Sequence, residues 1–199
     1  MGGHGCAVAF SLLEAVLDEG AAGASFPTIV ASGPRGARPH HVPGPDPIPA
    51  DTLVVIDMGA VFDGYCSDMT RTVATGPLPP RLEEIYALCL RAQEAALAAA
   101  RTDMPAKELD AVARTVIAEG GYGEHFGHGL GHGVGLVIHE RPGVRPEGTD
   151  VLAAGMAITI EPGIYLEAEG GVRIEDLVVL GHDGYECLST SPKDLRIVE

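Results

Sequence analysis

A chain of 199 residues with 46% hydrophobic content has enough material for one core, and its formal charge of −15 comes from 28 Asp and Glu against 13 Lys and Arg. One domain over residues 1–199 is the default at that length. The acidic balance argues against a nucleic-acid partner and leaves no polybasic patch for a membrane surface. No apolar run reaches the roughly 18–20 residues that span a bilayer.

The opening, Met1-Gly-Gly-His-Gly-Cys6, lacks the basic segment of a secretory signal. Cys6, Cys66, Cys89 and Cys187 are scattered without C-x-x-C spacing, and read as reduced thiols of a cytoplasmic protein. Apolar residues at Val8, Leu12, Leu13, Val16 and Leu17 predict a helix over 8–19, stopped by Gly20. Residues 26–31 read as a strand, and the Gly- and Pro-rich stretch 32–50 as a loop carrying His40 and His41. Residues 53–72 alternate as a β-hairpin should, with Asp63-Gly64 as its two-residue turn. Pro77, Pro79 and Pro80 open a helix over about 82–100; a second runs over about 106–119 and stops at Gly120-Gly121. The remainder is strand and loop: a His-Gly tract near 125–139, then strands over 156–161 and 172–180. Strands, then helices, then strands again predict an α+β domain rather than a doubly wound parallel sheet.

Closing the hairpin at Asp63-Gly64 pairs Phe62 with Tyr65, Gly59 with Asp68 and Asp57 with Thr70. Asp57 and Asp68 then become diagonal neighbours on one face, about 7–8 Å apart at the backbone. Two converging buried carboxylates are costly unless a positive charge sits between them. In Phe126-Gly-His-Gly-Leu-Gly-His-Gly-Val-Gly135 every odd position from 127 is glycine. A helix is excluded there, since each interior Gly costs about 1 kcal/mol relative to Ala. As an extended chain the tract puts His128 and His132 on one face and bare backbone on the other, open to a substrate or a neighbouring chain. His139 has the opposite parity and joins them only through a bend or bulge. Glu161 ends a strand at Pro162-Gly163, and Arg173 and Glu175 share a strand face from which Asp176 points away. Taken singly, each feature has an ordinary reading: a capping carboxylate, a flexible loop, a surface ion pair. The set of Asp, Asp, His, Glu and Glu, each at a strand or strand end, is what points to a site.

Asp57 in Ile-Asp-Met-Gly, Asp68 in Ser-Asp-Met-Thr-Arg-Thr, His132 in Gly-His-Gly-Leu-Gly-His-Gly-Val-Gly-Leu, Glu161 in Ile-Glu-Pro-Gly-Ile-Tyr and Glu175 in Arg-Ile-Glu-Asp together resemble the pita-bread metallopeptidases. Within them the resemblance is to the Xaa-Pro aminopeptidase and prolidase branch, from about Phe10 to the chain end. The resemblance implies a curved antiparallel sheet with helices on its outer face. It also implies that Asp57, Asp68, His132, Glu161 and Glu175 ligate two divalent metal ions, Asp68 and Glu175 bridging. Four carboxylates and two such ions cancel in charge, whereas bare carboxylates about 4 Å apart would repel by roughly 4 kcal/mol per pair at an intermediate dielectric. Oxygen-rich ligation favours manganese, with cobalt, zinc or iron as alternatives. The implied reaction is hydrolysis of an Xaa-Pro bond by a hydroxide held between the ions, with Glu161 relaying a proton. His40 matches the family's residue near the scissile bond, His128 and His139 those lining the substrate, and Tyr165 and Arg173 those bracing the bridging carboxylates. The implied partner is a peptide with proline second, and a homodimer is one candidate assembly.

Members of that branch carry a separate N-terminal domain and opening helices before the stretch that starts here, so the chain reads as an N-terminally shortened catalytic domain. Two rival readings carry different chemistry. A methionine aminopeptidase would have another context around the second Asp and the last Glu. A metal-free binding module, a creatinase-type amidinohydrolase or an inactive truncated relative would have lost ligands that are all present here.

Overall fold

The computed structural model describes residues 3–198; Met1, Gly2 and Glu199, the ends of the expected 1–199 unit, lie outside the described residues. In chain order, α1 (Gly5–Asp18) leads into β1 (Gly23–Ala24) and β2 (Ile29–Ser32). A 3-10 turn, Gly33–Ala37, and an irregular loop then deliver the chain to the hairpin strands β3 (Leu53–Met58), β4 (Ala60–Phe62), β5 (Tyr65–Cys66) and β6 (Met69–Ala74). Two helices follow, α2 (Pro80–Ala99) and α3 (Ala106–Glu119), then β7 (Gly131–Gly133), β8 (Glu140–Val144) and β9 (Ala157–Ile160). The chain closes through β10 (Gly163–Leu166), β11 (Gly170–Arg173), β12 (Asp176–Gly181) and β13 (Gly184–Cys187). The α+β expectation holds, and among the described residues these strands pair with one another antiparallel.

The long hairpin keeps the register read from its turn: Phe62 faces Tyr65 and Asp57 faces Thr70. Asp63 and Gly64 both have positive φ, 48° and 85°, as a type I′ turn demands. The expected Gly59–Asp68 ladder pair is absent, because the ladder breaks there and the hairpin divides between two sheets. Ser67 Oγ takes the Ala60 N–H at 2.9 Å and Ser25 Oγ donates to Ser67 O at 2.8 Å. A Cβ at position 59 would collide with both Ser67 O and Ser25 Oγ, so this crossing needs glycine.

Two further differences matter for the site. The continuous strand expected over 172–180 is two strands in two sheets: β11 pairs with β10, while β12 joins the order β13-β12-β9-β7-β8. Ile174 and Glu175 fall in the gap, where Glu175 N–H bonds Thr70 O at 3.1 Å and ties the sheets together. The His-Gly tract is strand only at β7, with a bulge between His132 and Gly133. Its glycines admit neighbouring backbone: a Cβ at Gly131 would overlap Thr159 of β9, and one at Gly133 would overlap Arg141 of β8.

Helices α2 and α3 pack on each other and cover one face of these strands. On α3 the spacing Ala106, Leu109, Ala113, Ile117 makes an apolar stripe that is fully buried. It belongs to a core with Leu130, Ile158, Ile160, Ile164, Val172 and Ile174. Each fully buried Leu or Ile contributes about 1.5–3 kcal/mol. Along residues 172–175 core and cavity positions alternate: Val172 and Ile174 join the core, Arg173 and Glu175 line a cavity.

Candidate metal centre

The cavity holds about 860 Å³, within the usual range for a small-molecule site, and is walled by residues from β3, β7, β11 and the intervening loops. Asp57, Asp68 and Glu175 each bring a carboxylate oxygen to within 4.8 Å of the others, all three residues being buried. His132 Nε2 stands 3.6 Å from Asp68 Oδ2 and 3.3 Å from Glu161 Oε1, so all five expected ligands converge. Asp57 Oδ1 and Glu175 Oε1 are buried with no hydrogen-bond partner. Buried oxygens are rarely left so, and a cation between them would account for both. The donor set of four carboxylates and one imidazole suits hard or borderline divalent ions.

The profile of Metallopeptidase family M24 matches residues 6–182. The chain belongs to that family. An Xaa-Pro dipeptidase of Pyrococcus horikoshii is 48% identical over 176 residues, covering 88% of this chain and 50% of that protein. Among solved structures, an Xaa-Pro dipeptidase from Bacillus anthracis superposes with a TM-score of 0.98 at 44% identity, covering 99% of this chain and 56% of that one. The X-Pro aminopeptidase of Thermotoga maritima gives 0.96 at 43% identity, covering 99% and 56%. The chain thus has the pita-bread fold and spans about half the length of the curated relatives it matches. Family membership implies divalent metals, and the cavity holds a carboxylate cluster able to accept them.

Charge explains why. Burial pushes the Asp57 carboxyl up against the pull of Arg173. Burial, then Asp57 and Glu161, raise Asp68 to about 8. Glu175 is raised well above the usual carboxylate range by burial and by Glu161, Asp68 and Asp57. Glu161 goes the other way: burial works against ionisation, but the His132 hydrogen bond and Arg173 outweigh it and hold the carboxyl low. Burial opposes the charged form of His132 too, yet its bond to Glu161 and the nearby Asp68 raise it.

His40, His128 and His139 line the cavity. The chain reverses between β7 and β8, pairing Gly133 with Glu140, and so returns His139 to His132; the two rings meet edge to face with centroids 4.3 Å apart. Burial lowers the pKa of His128, and burial with His132 lowers that of His139, so both favour neutral imidazole. Both nitrogens of His128 are engaged: Nδ1 with Gly129 O at 2.7 Å and Nε2 with Tyr165 Oη at 2.8 Å. Arg173 Nη1 donates to the same Tyr165 oxygen at 2.9 Å.

Arg173 was expected to brace a bridging carboxylate, but its direct bond is from Nη2 to Asp57 Oδ2 at 2.5 Å. It reaches Glu175 through Thr70, whose hydroxyl accepts from Arg173 Nε at 3.1 Å and donates to Glu175 Oε2 at 2.6 Å. Thr159 does the same for the histidine side, accepting His132 N–H at 3.0 Å and donating to Glu161 Oε1 at 3.1 Å. Sequence reasoning missed both threonines. The signal was there: Thr70 lies two residues after Asp68 and Thr159 two before Glu161, each on the ligand's own strand face.

Beneath Glu175, Asp176 is fully buried and accepts from Arg71 Nη2 at 2.7 Å, Gln93 Nε2 at 2.9 Å and Lys193 Nζ at 2.6 Å. Arg71 also donates to the Thr70 and Glu175 carbonyls, fixing the backbone on both sides of the inter-sheet gap.

Proposed function

We propose that the chain is the catalytic unit, over residues 1–199, of an exopeptidase that uses two divalent metal ions to hydrolyse the bond between a first residue and proline. Asp57, Asp68, His132, Glu161 and Glu175 would hold the ions, manganese by preference for an oxygen-rich set and cobalt, zinc or iron otherwise. The observation that carries the reading is the convergence of these five donors, two buried oxygens among them unpartnered, in a chain of this family. When bound, such ions acidify water and polarise a carbonyl.

The remaining work falls to the chain itself. Glu161, held ionised beside Arg173 and His132, takes the proton from the attacking water and returns it to the leaving proline nitrogen. His139, neutral and on the cavity wall, donates a hydrogen bond to the scissile carbonyl as charge builds there. His128 presents its ring to the substrate with its tautomer set by Tyr165 and Gly129, and His40 lines the same cavity near His128 and His139. The named relatives with Xaa-Pro activity support proline in the second position.

Four free cysteines fit a reducing cytoplasm. Among the described residues no helix is long and apolar enough to cross a membrane. Exposed Phe62, Tyr65, Leu136 and Val137, on segments joined by a 2.8 Å bond from Cys66 N–H to Gly135 O, support a homodimer, which light scattering tests.

The manganese-loaded protein should release the first residue from Xaa-Pro dipeptides or longer Xaa-Pro peptides, and a chelator should stop it. Absence of chelator-sensitive release ends the proposal. Faster cleavage of a methionyl than of a prolyl peptide would transfer it to the methionine aminopeptidase reading.

A further inference from the structure

The tract that carries His128 has almost no side chains with which to hold itself. Gly127 has no neighbour where a Cβ would stand, and Gly129 faces backbone and the stem of Arg145. Its fastenings come instead from α3, outside the cavity. Asp110, 1% exposed, accepts the Leu130 N–H at 2.9 Å and grips Arg114 through both oxygens, at 2.8 and 2.9 Å. Arg114 in turn donates from Nη1 to Phe126 O at 2.9 Å and from Nη2 to His128 O at 2.7 Å. Its guanidinium carbon sits 4.2 Å from the Phe126 ring centroid, and that ring stands edge-on to His128 at 5.1 Å.

Three alternate residues, 126, 128 and 130, are therefore bound through their main chain to one ion pair. We propose that Asp110 and Arg114 are positioning residues that set the place and tautomer of His128, an inference that rests on the hydrolytic reading above. The chemistry matches the residue types. Only a planar guanidinium can hold a carboxylate with one edge and two carbonyls with its remaining protons; an ammonium on a flexible stem cannot. A carboxylate buried this deeply costs stability unless fully bonded, and an apolar pair would fill the space at less cost. What the ion pair supplies is direction: fixing the carbonyl of residue 128 orients its Cα–Cβ bond. The imidazole then meets Tyr165 Oη with Nε2 while Nδ1 turns to Gly129 O. His132, by contrast, is held by the β7 ladder and by Thr159; the one route from the clamp to a ligand runs through Leu130, whose carbonyl accepts Glu161 N–H at 2.8 Å, and Arg114→Lys leaves the Asp110–Leu130 bond in place.

The test is Arg114→Lys, made in the full chain, with Asp110→Asn as the second variant. Metal content by elemental analysis should stay at the parent level. With an Xaa-Pro substrate kcat should fall roughly 10- to 100-fold, the scale of an ångström-sized misplacement, while KM changes less than about threefold. Nitrogen-15 correlation spectra of the zinc-loaded protein should show the His128 ring, assigned by its loss in His128→Gln, leaving a single protonated-Nδ1 state for an averaged tautomer mixture. An unchanged His128 spectrum in a folded variant overturns the proposal, as does loss of metal in step with activity. Loss of the fold in both variants would make the pair a folding element and overturn it equally. The spectrum is read without turnover, so an inactive parent protein would sink the hydrolytic reading and leave the clamp to be judged on the imidazole signals.

Discussion

The two walls of the cavity are built on opposite electrostatic principles. One wall carries Asp57, Asp68 and Glu175, buried side by side, each with its proton affinity raised. The other carries His40, His128 and His139, of which burial keeps His128 and His139 neutral. The acidic wall is costly as protein alone and becomes favourable with cations; the histidine wall needs no cation and, on the proposed function, would meet the substrate. On the proposed function, metal would stabilise the first wall and leave the second unaffected.

The sharpest way to break that contrast is Asp68→Asn. It should abolish turnover, by at least about a thousandfold, and take metal occupancy below one ion per chain by elemental analysis. The same change should leave the chelated protein as stable as the parent or more so at pH 8, since it removes a carboxyl whose ionisation burial opposes. A destabilised, chelated Asp68→Asn protein would refute this account of the acidic wall.

A smaller effect, on stability alone, follows from pH. Asp57, Asp68 and Glu175 have folded pKa values above their unfolded ones near 4, with Asp68 at about 8. The folded chelated chain thus holds protons that the unfolded chain releases, and their contribution is full below about pH 4 and lost as pH climbs toward 8. His132, also raised, adds to the loss, whereas the contribution of Glu161, lowered, is already complete above its unfolded value and stays constant across this range. The melting temperature in chelator should fall between pH 5 and 8 by the equivalent of a few kcal/mol. With saturating metal the decline should vanish or reverse. Parallel curves with and without metal would mean that the carboxylates are not the source.

On the histidine wall, His139→Phe keeps the ring's bulk and removes its hydrogen bond. Metal content and melting temperature should hold, and kcat should drop roughly 10- to 100-fold, as for loss of one oxyanion-stabilising donor. A matching loss of metal would place His139 among the ligands instead.

These walls were not equally legible in the sequence. Part of the acidic wall followed from one turn: Asp63-Gly64 fixes the register that puts Asp57 opposite Thr70 and Asp68 nearby, although the ladder breaks before Asp68, and Glu175 joined them only through the family resemblance. What alternation could not reveal is the division of residues 172–180 between two sheets, because that break is made by tertiary bonds, Glu175 N–H to Thr70 O and Arg71 to the Glu175 carbonyl. Nor could it reveal the course of the His-Gly tract. Glycine states what the chain avoids, helix and bulk, but not which neighbour fills the space; here it is the backbone of β8 and β9. His139 could be brought to the site only conditionally, since it returns through the reversal between β7 and β8, which strand parity does not reveal. Asp110 escaped notice because it lies on the buried stripe of α3 among Leu109 and Ala113, where a carboxylate reads as a helix residue.

The smallest expected effect lies where the walls join. Tyr165 Oη donates to His128 Nε2 and accepts from Arg173 Nη1, whose other nitrogen holds Asp57, so one hydroxyl links a neutral imidazole to the acidic cluster. Burial lifts that phenol to about 12, so it remains a donor throughout the working pH range. Tyr165→Phe deletes the oxygen, leaves the ring in place and strands one buried donor and one acceptor, at a cost of about 1–3 kcal/mol. Arg173 keeps Thr70 and Asp57 as partners, so metal content should not change. His128 loses the bond that selects its tautomer, so kcat should fall by about tenfold or less. If the variant instead loses metal, Arg173 depends on Tyr165 for its aim, and the two walls are one mechanical unit. If stability falls while kcat does not, the link is structural and His128 needs no help from across the cavity.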